Sequence, residues 1–172
     1  MKIRIPRLYI CLFLVLALTQ GCDAQPDPTE FSATALEEKL MSEDGQNITL
    51  SELLNEHKGK TILIDVWASW CRDCLVGFPK LKKLQQANTE VVFVYLSLDK
   101  TQEAWKKGIE NYDLKGHHYF LASGWDGPFG EFVDLDWIPR YMVVDGTGKI
   151  KLFRAVKADD RALTEALKNK KV

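Results

Sequence analysis

The apolar residues of this chain fall into runs whose spacing alternates between strand and helix periods. "TILIDVW", Thr61 to Trp67, is almost continuously apolar and rich in β-branched residues. That pattern predicts a strand buried on both faces, as in a parallel sheet. From about Arg72 to Ala87, Phe78, Leu81 and Leu84 recur at helical spacing. "VVFVYLS", Val91 to Ser97, predicts a second buried strand, and Trp105, Ile109 and Tyr112 mark a helix near Thr101 to Tyr112. The segment 115–137 is less regular. Within it "HHYFLA" suggests a short strand and "GPFGEFV" a turn or two of helix, and His117-His118 reads as part of an irregular, partly packed stretch. "RYMVVDGTGKIKLFRAV" sets two apolar runs around Asp145-Gly146-Thr147-Gly148, a hairpin. A last helix is expected from Asp159 or Asp160, with Leu163, Ala166 and Leu167 on one face and closing lysines that suit the C-terminal dipole. Upstream, "KLMSEDGQNITLSELL" predicts a hairpin turning at Asp44-Gly45 and then a short helix capped by Ser51. The β-α-β-α order implies an α/β layered fold in one domain over residues 36–172.

The N-terminus departs from this pattern. Lys2, Arg4 and Arg7 precede an unbroken apolar run, Leu8 to Leu18, that ends at "TQGC". The run fits the apolar segment of a signal peptide and is short for a membrane span. "LTQGC" resembles a bacterial lipoprotein cleavage site, although Thr19 stands three residues before the cysteine where such sites usually carry leucine. Residues 1–21 are therefore expected as a signal peptide with Cys22 as the lipidated residue, several acyl chains giving stable anchorage. The alternative is cleavage after Ala24 and a soluble exported protein. "DAQPDPTEFSAT", with two prolines and few apolar residues, reads as a tether over residues 22–35.

The chain has 172 residues, 46% hydrophobic and 27% charged, enough for one domain with a real core. Its net charge is -1. Loss of residues 1–21 removes Lys2, Arg4 and Arg7, which takes it to -4. There is no basic stripe, so nucleic acid is not an expected partner. Of four cysteines, Cys11 leaves with the signal and Cys22 is used for lipid, which leaves Cys71 and Cys74 as the thiols. A single close pair is not the framework of a disulfide-stapled scaffold.

The pair sits in "DVWASWCRDC", where a predicted strand meets a predicted helix. A Cys-x-x-Cys in this setting is a redox signature. The free N–H groups and dipole of a helix start favour a thiolate on Cys71, and Cys74, one turn on, is within disulfide reach. Cys71 then attacks a substrate disulfide and Cys74 resolves the mixed disulfide. A zinc or copper site is the weaker reading, since the pair supplies two ligands and only His57, His117 and His118 remain as histidine candidates. A purely structural disulfide closing so small a loop would stabilise little.

"GKTILIDVWASWCRDC", "FPKLKKL", "VVFVYLSLD" and "WIPRYMVVDGTGKI" together resemble the thioredoxin superfamily, in particular the membrane-anchored TlpA/ResA-like thiol-disulfide oxidoreductases. The resemblance implies a thioredoxin-like fold, a central mixed β-sheet flanked by helices. It implies catalytic Cys71 and Cys74 forming a redox-active disulfide, and Asp65 as a buried acid able to take the proton of Cys74. Trp70 would cover the active surface, while Trp67 belongs to the strand and the core. Pro139 matches a cis-proline beside which substrate docks, with Ile138 offering its backbone, and Pro79 matches a proline that kinks the first helix. No metal and no cofactor are implied. Protein thiols and disulfides, an upstream thiol electron donor and the membrane are the implied partners, for a monomer facing the periplasm of a bacterial envelope. Gly77 stands where many members carry a glutamate before Phe-Pro, which puts a dedicated cytochrome c maturation role in doubt. Asp73 and Arg72 act in opposite directions on the thiolate. A reductase is expected. A metal- or partner-binding module on the same fold is the alternative, and residues 64–71 lack the Pro-x-x-x-Thr-x-x-Cys setting of a peroxide-reducing relative.

Overall fold

The computed structural model describes residues 26–168, so the expected signal peptide, Cys22 and the last four residues lie outside the described part. Its elements run in the order α1 (Ala33–Leu36), β1 (Lys39–Ser42), β2 (Asn47–Thr49), α2 (Leu50–Glu56), β3 (Ile62–Trp67), α3 (Arg72–Ala87), β4 (Val92–Ser97), α4 (Gln102–Tyr112), β5 (His117–Phe120), α5 (Pro128–Phe132), β6 (Arg140–Val144), β7 (Ile150–Ala155) and α6 (Arg161–Lys168). A short 3-10 turn, Gly124–Asp126, precedes α5.

The seven strands form one mixed sheet in the order β2-β1-β5-β4-β3-β6-β7. β3, β4 and β5 are parallel, and the flanking strands pair antiparallel. This is a thioredoxin-like arrangement, as the sequence resemblance implied. β3 is buried along its whole length because both faces are covered, which is why its sequence does not alternate. Trp67 on β3 meets Phe78 of α3 edge to face with ring centroids 5.5 Å apart, and Phe78 in turn meets Tyr112 of α4 at 5.5 Å. α4 approaches this wall at Gly108, where a Cβ would lie 2.9 Å from the Ser69 Cβ and 3.0 Å from Trp67. A glycine inside a helix costs propensity; here it is what lets the helix sit against the end of β3.

Three sequence expectations change. The folded part begins well before residue 36. Thr29 accepts a hydrogen bond from the Ile150 amide at 2.8 Å, Phe31 packs on Phe132 with centroids 5.4 Å apart, and Ser32 caps α1 through Ala35 N at 3.1 Å. Phe31, an isolated aromatic in a polar stretch, is one of the contacts that tie residues 29–35 to the domain. α2 is capped by Thr49 rather than Ser51. Thr49 Oγ1 accepts from Glu52 N at 3.1 Å while the Glu52 carboxylate accepts from Thr49 N at 2.7 Å. This reciprocal box starts the helix one residue before Ser51, at the buried Leu50. His118 lies in β5, buried and stacked on Tyr95 at 4.8 Å, and burial pushes its pKa down to about 4. His117 is at the exposed start of the same strand.

Candidate active site

The chain leaves β3 at Trp67, turns through Ala68, Ser69 and Trp70, and enters α3 at Cys71. Asp99, just after β4, holds that turn. Its carboxylate accepts from Ser69 N at 3.1 Å, from Ser69 Oγ at 2.7 Å and from Ser97 Oγ at 2.9 Å. Asp99 is itself buried. Replacing it with alanine leaves these donors unpaired, so Asp99→Ala is expected to cost about 2–3 kcal/mol of stability, read by denaturant unfolding, together with a fall in turnover as the turn before Cys71 loosens.

Cys71 is the N-cap of α3, and its sulfur accepts from Cys74 N at 3.1 Å. The two cysteines form a disulfide, S–S 2.04 Å, with Cα atoms 5.3 Å apart. Cys74 is fully buried, while Cys71 retains 5% exposure. Asp73 lies in the first turn, where the dipole favours an acid. Pro79 lies inside the helix and withholds an N–H from the carbonyl of Leu75.

Opposite the pair, the Ile138–Pro139 peptide bond is cis, and the Ile138 carbonyl oxygen lies 3.6 Å from Cys71 Sγ. Trp70, Cys71, Arg72, Asp73, Trp125 and Ile138, with Asp136 and Trp137, surround a hollow of about 390 Å³. Trp70 is 54% exposed and Trp67 fully buried, so the two tryptophans divide between surface and core as expected. The segment before Pro139 is fixed from below by Arg140. This fully buried guanidinium donates to the carbonyls of Val133 and Asp134 and, at 2.8 Å, to the Asp136 carboxylate, which also receives Arg154 at 2.8 Å. Arg140, Asp136, Trp125, Trp137 and Asp99 carry no local motif that marks them in the sequence. The one signal available was a charged residue, Arg140, opening an otherwise apolar strand.

Asp65 lies mid-way along β3 with no exposure. Its Cα partners are Tyr95 on β4 and Tyr141 on β6, so the three side chains share one face of the sheet. That face is the one beneath α3, because the Tyr141 hydroxyl lies 3.3 Å from where a Cβ on Gly77 would be and because Trp67, two residues on from Asp65, packs on Phe78. Asp65 is thereby set on the face beneath the helix that carries Cys74, beside the tyrosine whose hydroxyl reaches Gly77. Neither carboxyl oxygen has a protein hydrogen-bond partner, and burial holds the carboxyl well above the usual carboxylate range.

The histidines do not join this site. His57 and His117 face each other with ring centroids 4.5 Å apart, and His117 lines a hollow of about 930 Å³ with Gly59 and Gly146, beyond the N-terminal end of β3. Cys71 follows the other end. Among the described residues no three of His, Cys, Asp and Glu are grouped to hold a metal ion.

A disulfide on the first turn of a helix, facing a cis-proline on a mixed sheet of this order, defines a thioredoxin-fold thiol-disulfide oxidoreductase. Residues 24–167 match the Redoxin family model, and the chain belongs to that family. It is 25% identical over 173 residues to the thiol:disulfide interchange protein DsbE of Haemophilus influenzae, covering 94% of this chain and 93% of that protein. It is 25% identical over 145 residues to the thiol-disulfide oxidoreductase ResA of Bacillus thuringiensis subsp. konkukian, covering 83% and 80%. The solved thiol-disulfide oxidoreductase from Bacteroides fragilis superposes with a TM-score of 0.65 at 26% identity, covering 78% of this chain and 97% of that one. This chain is an oxidoreductase of the DsbE/ResA type that carries its Cys-x-x-Cys at Cys71 and Cys74.

Proposed function

We propose that this protein is an exported, lipid-anchored reductase of protein disulfides. The observation that carries the chemistry is the asymmetry of the pair: Cys71 reaches the hollow beside Ile138, and Cys74 is sealed behind it. Cys71 as thiolate attacks one sulfur of a substrate disulfide, and the other substrate sulfur leaves as a thiolate. Cys74 passes its proton toward the carboxylate of Asp65 and attacks Cys71 Sγ. The second substrate sulfur then departs, and two electrons have moved from the pair to the substrate. An upstream thiol donor restores the dithiol. Trp70, Ile138 and Pro139 receive the extended substrate chain.

The reductase direction is supported by the buried Asp65, whose carboxyl has no protein hydrogen-bond partner, on the sheet face beneath the helix that carries the pair. A buried carboxylate disfavours a second negative charge on a nearby sulfur, and a strong oxidant needs a stabilised reduced form. Equilibration with glutathione is expected to give a potential well below the roughly -120 mV of strongly oxidising relatives; a value near that figure would reverse the direction. The anchor and export rest on the basic and apolar N-terminus ending at Cys22. No helix among the described residues is long and apolar enough to cross a membrane. Cys22→Ala is expected to move the protein from the membrane fraction to the soluble one, and an unchanged distribution counts against lipidation.

A further inference from the structure

We propose that Tyr141 is a positioning residue for the Asp65 carboxyl, its hydroxyl joined to that acid through a buried water, and that Gly77 is the position that admits this hydroxyl beneath the cysteine-bearing helix. The inference rests on the thiol-disulfide reading given above.

Asp65 and Tyr141 are direct partners across the antiparallel β3–β6 pair, so their Cβ atoms are about 5 Å apart on one face. Both residues are fully buried. Asp65 Oδ1, Asp65 Oδ2 and Tyr141 Oη all lack a protein hydrogen-bond partner. Buried polar atoms are rarely left unpaired, and an internal water takes its place where two to four such atoms converge. These three atoms sit on neighbouring strands under one helix. The phenol comes up against α3 at Gly77, and a Cβ there would stand 3.3 Å from its oxygen. A larger side chain at position 77 would occupy the space into which the hydroxyl projects.

The groups facing Asp65 are few. Tyr95 faces it from β4 and Tyr141 from β6, beneath the helix that carries Cys74 and Gly77. Burial and the neighbouring Asp65 push the Tyr141 phenol up, and Tyr95 and then the exposed Asp159 add to this more weakly. The hydroxyl therefore stays protonated and acts as a donor. A donor aimed at a carboxylate favours its ionised form. During resolution the Cys74 proton passes through the water to an Asp65 oxygen, the Cys74–Cys71 bond forms, and the Cys71–substrate bond breaks to release a thiolate. Tyr141 neither gains nor loses a proton. It holds the acid in place and keeps it ionised to lower pH than burial alone would allow.

The test is single-turnover reaction of the reduced protein with an aromatic disulfide whose released thiolate absorbs visible light, such as dithiobis(nitrobenzoate), over a range of pH. The first release reports attack by Cys71 and the second reports resolution by Cys74. In Tyr141→Phe the pH midpoint of the second release is expected to rise by about one unit, a tenfold change in proton affinity, with the first release unchanged. In an Asp65→Asn background Tyr141→Phe should shift nothing further. Superimposable second-phase profiles for wild type and Tyr141→Phe would overturn the inference while leaving the biphasic wild-type reaction, and hence the activity, intact. A wild-type trace with no second phase would instead remove the thiol-disulfide reading itself. Should Tyr141→Phe lose its native near-UV spectrum, Gly77→Ala takes its place: it keeps the hydroxyl but crowds it, and an unmoved midpoint there overturns the inference equally.

Discussion

Cys71→Ser is expected to abolish disulfide-exchange turnover, with a loss of at least about a thousandfold against any disulfide substrate. The serine hydroxyl is not ionised near neutral pH and is a poor nucleophile toward sulfur, so the first bond never forms. The fold should survive, because serine is itself a favoured N-cap and replaces the sulfur that accepts from Cys74 N. Cys74→Ser should behave differently. Its Cys71 still attacks, but the mixed disulfide then has no internal thiol to break it. Full activity in Cys71→Ser would mean that the reacting group lies elsewhere.

Asp65→Asn is expected to change activity and stability in opposite directions. Losing the proton acceptor should slow resolution by about a hundredfold near neutral pH. Stability should rise. Burial makes the folded state bind the Asp65 proton more tightly than the unfolded state does. From the ordinary aspartate value of 3.8 upward, the unfolded chain has already released that proton while the folded chain still holds it. Stability therefore falls with rising pH through that window, by up to about 1.4 kcal/mol per unit, until the folded-state value is passed. Asparagine removes this slope. Denaturant unfolding should show near-equal stabilities at pH 4 and a more stable Asp65→Asn at pH 7. A variant less stable than wild type at pH 7 would contradict a carboxyl whose proton affinity is raised by burial.

The parts of this site that sequence reveals are those built from local pattern. The strand through Asp65, the helix Arg72–Ala87 and the pair on its first turn follow from hydrophobic period and cysteine spacing. So does the assignment of Trp67 to the core, since it belongs to the strand, whereas the surface place of Trp70 is implied by the family resemblance. What escapes local pattern is whatever depends on strands distant in sequence meeting in register. Tyr141 has the composition of any strand residue until β6 is laid against β3, which sets it beside Asp65. Arg140 looks like a polar start to a strand, and only the folded loop shows its guanidinium bonded to Val133, Asp134 and Asp136. Gly108 reads as a weak point in a helix until the helix closes on Ser69. The start of the folded part is hidden for a related reason: Phe31 is isolated among polar residues, and its partner Phe132 lies far along the chain. The missing glutamate at position 77 was visible in the sequence, but the tyrosine hydroxyl that comes up beneath it was not.

The central claim is that Cys71 alone makes first contact with the substrate and Cys74 releases it. Mass spectrometry of Cys74→Ser after reaction with a disulfide-bonded peptide tests this most directly. The account predicts one peptide half attached through a reducible bond to Cys71, stable until an external thiol is added. No adduct, or an adduct on any other residue, would contradict it.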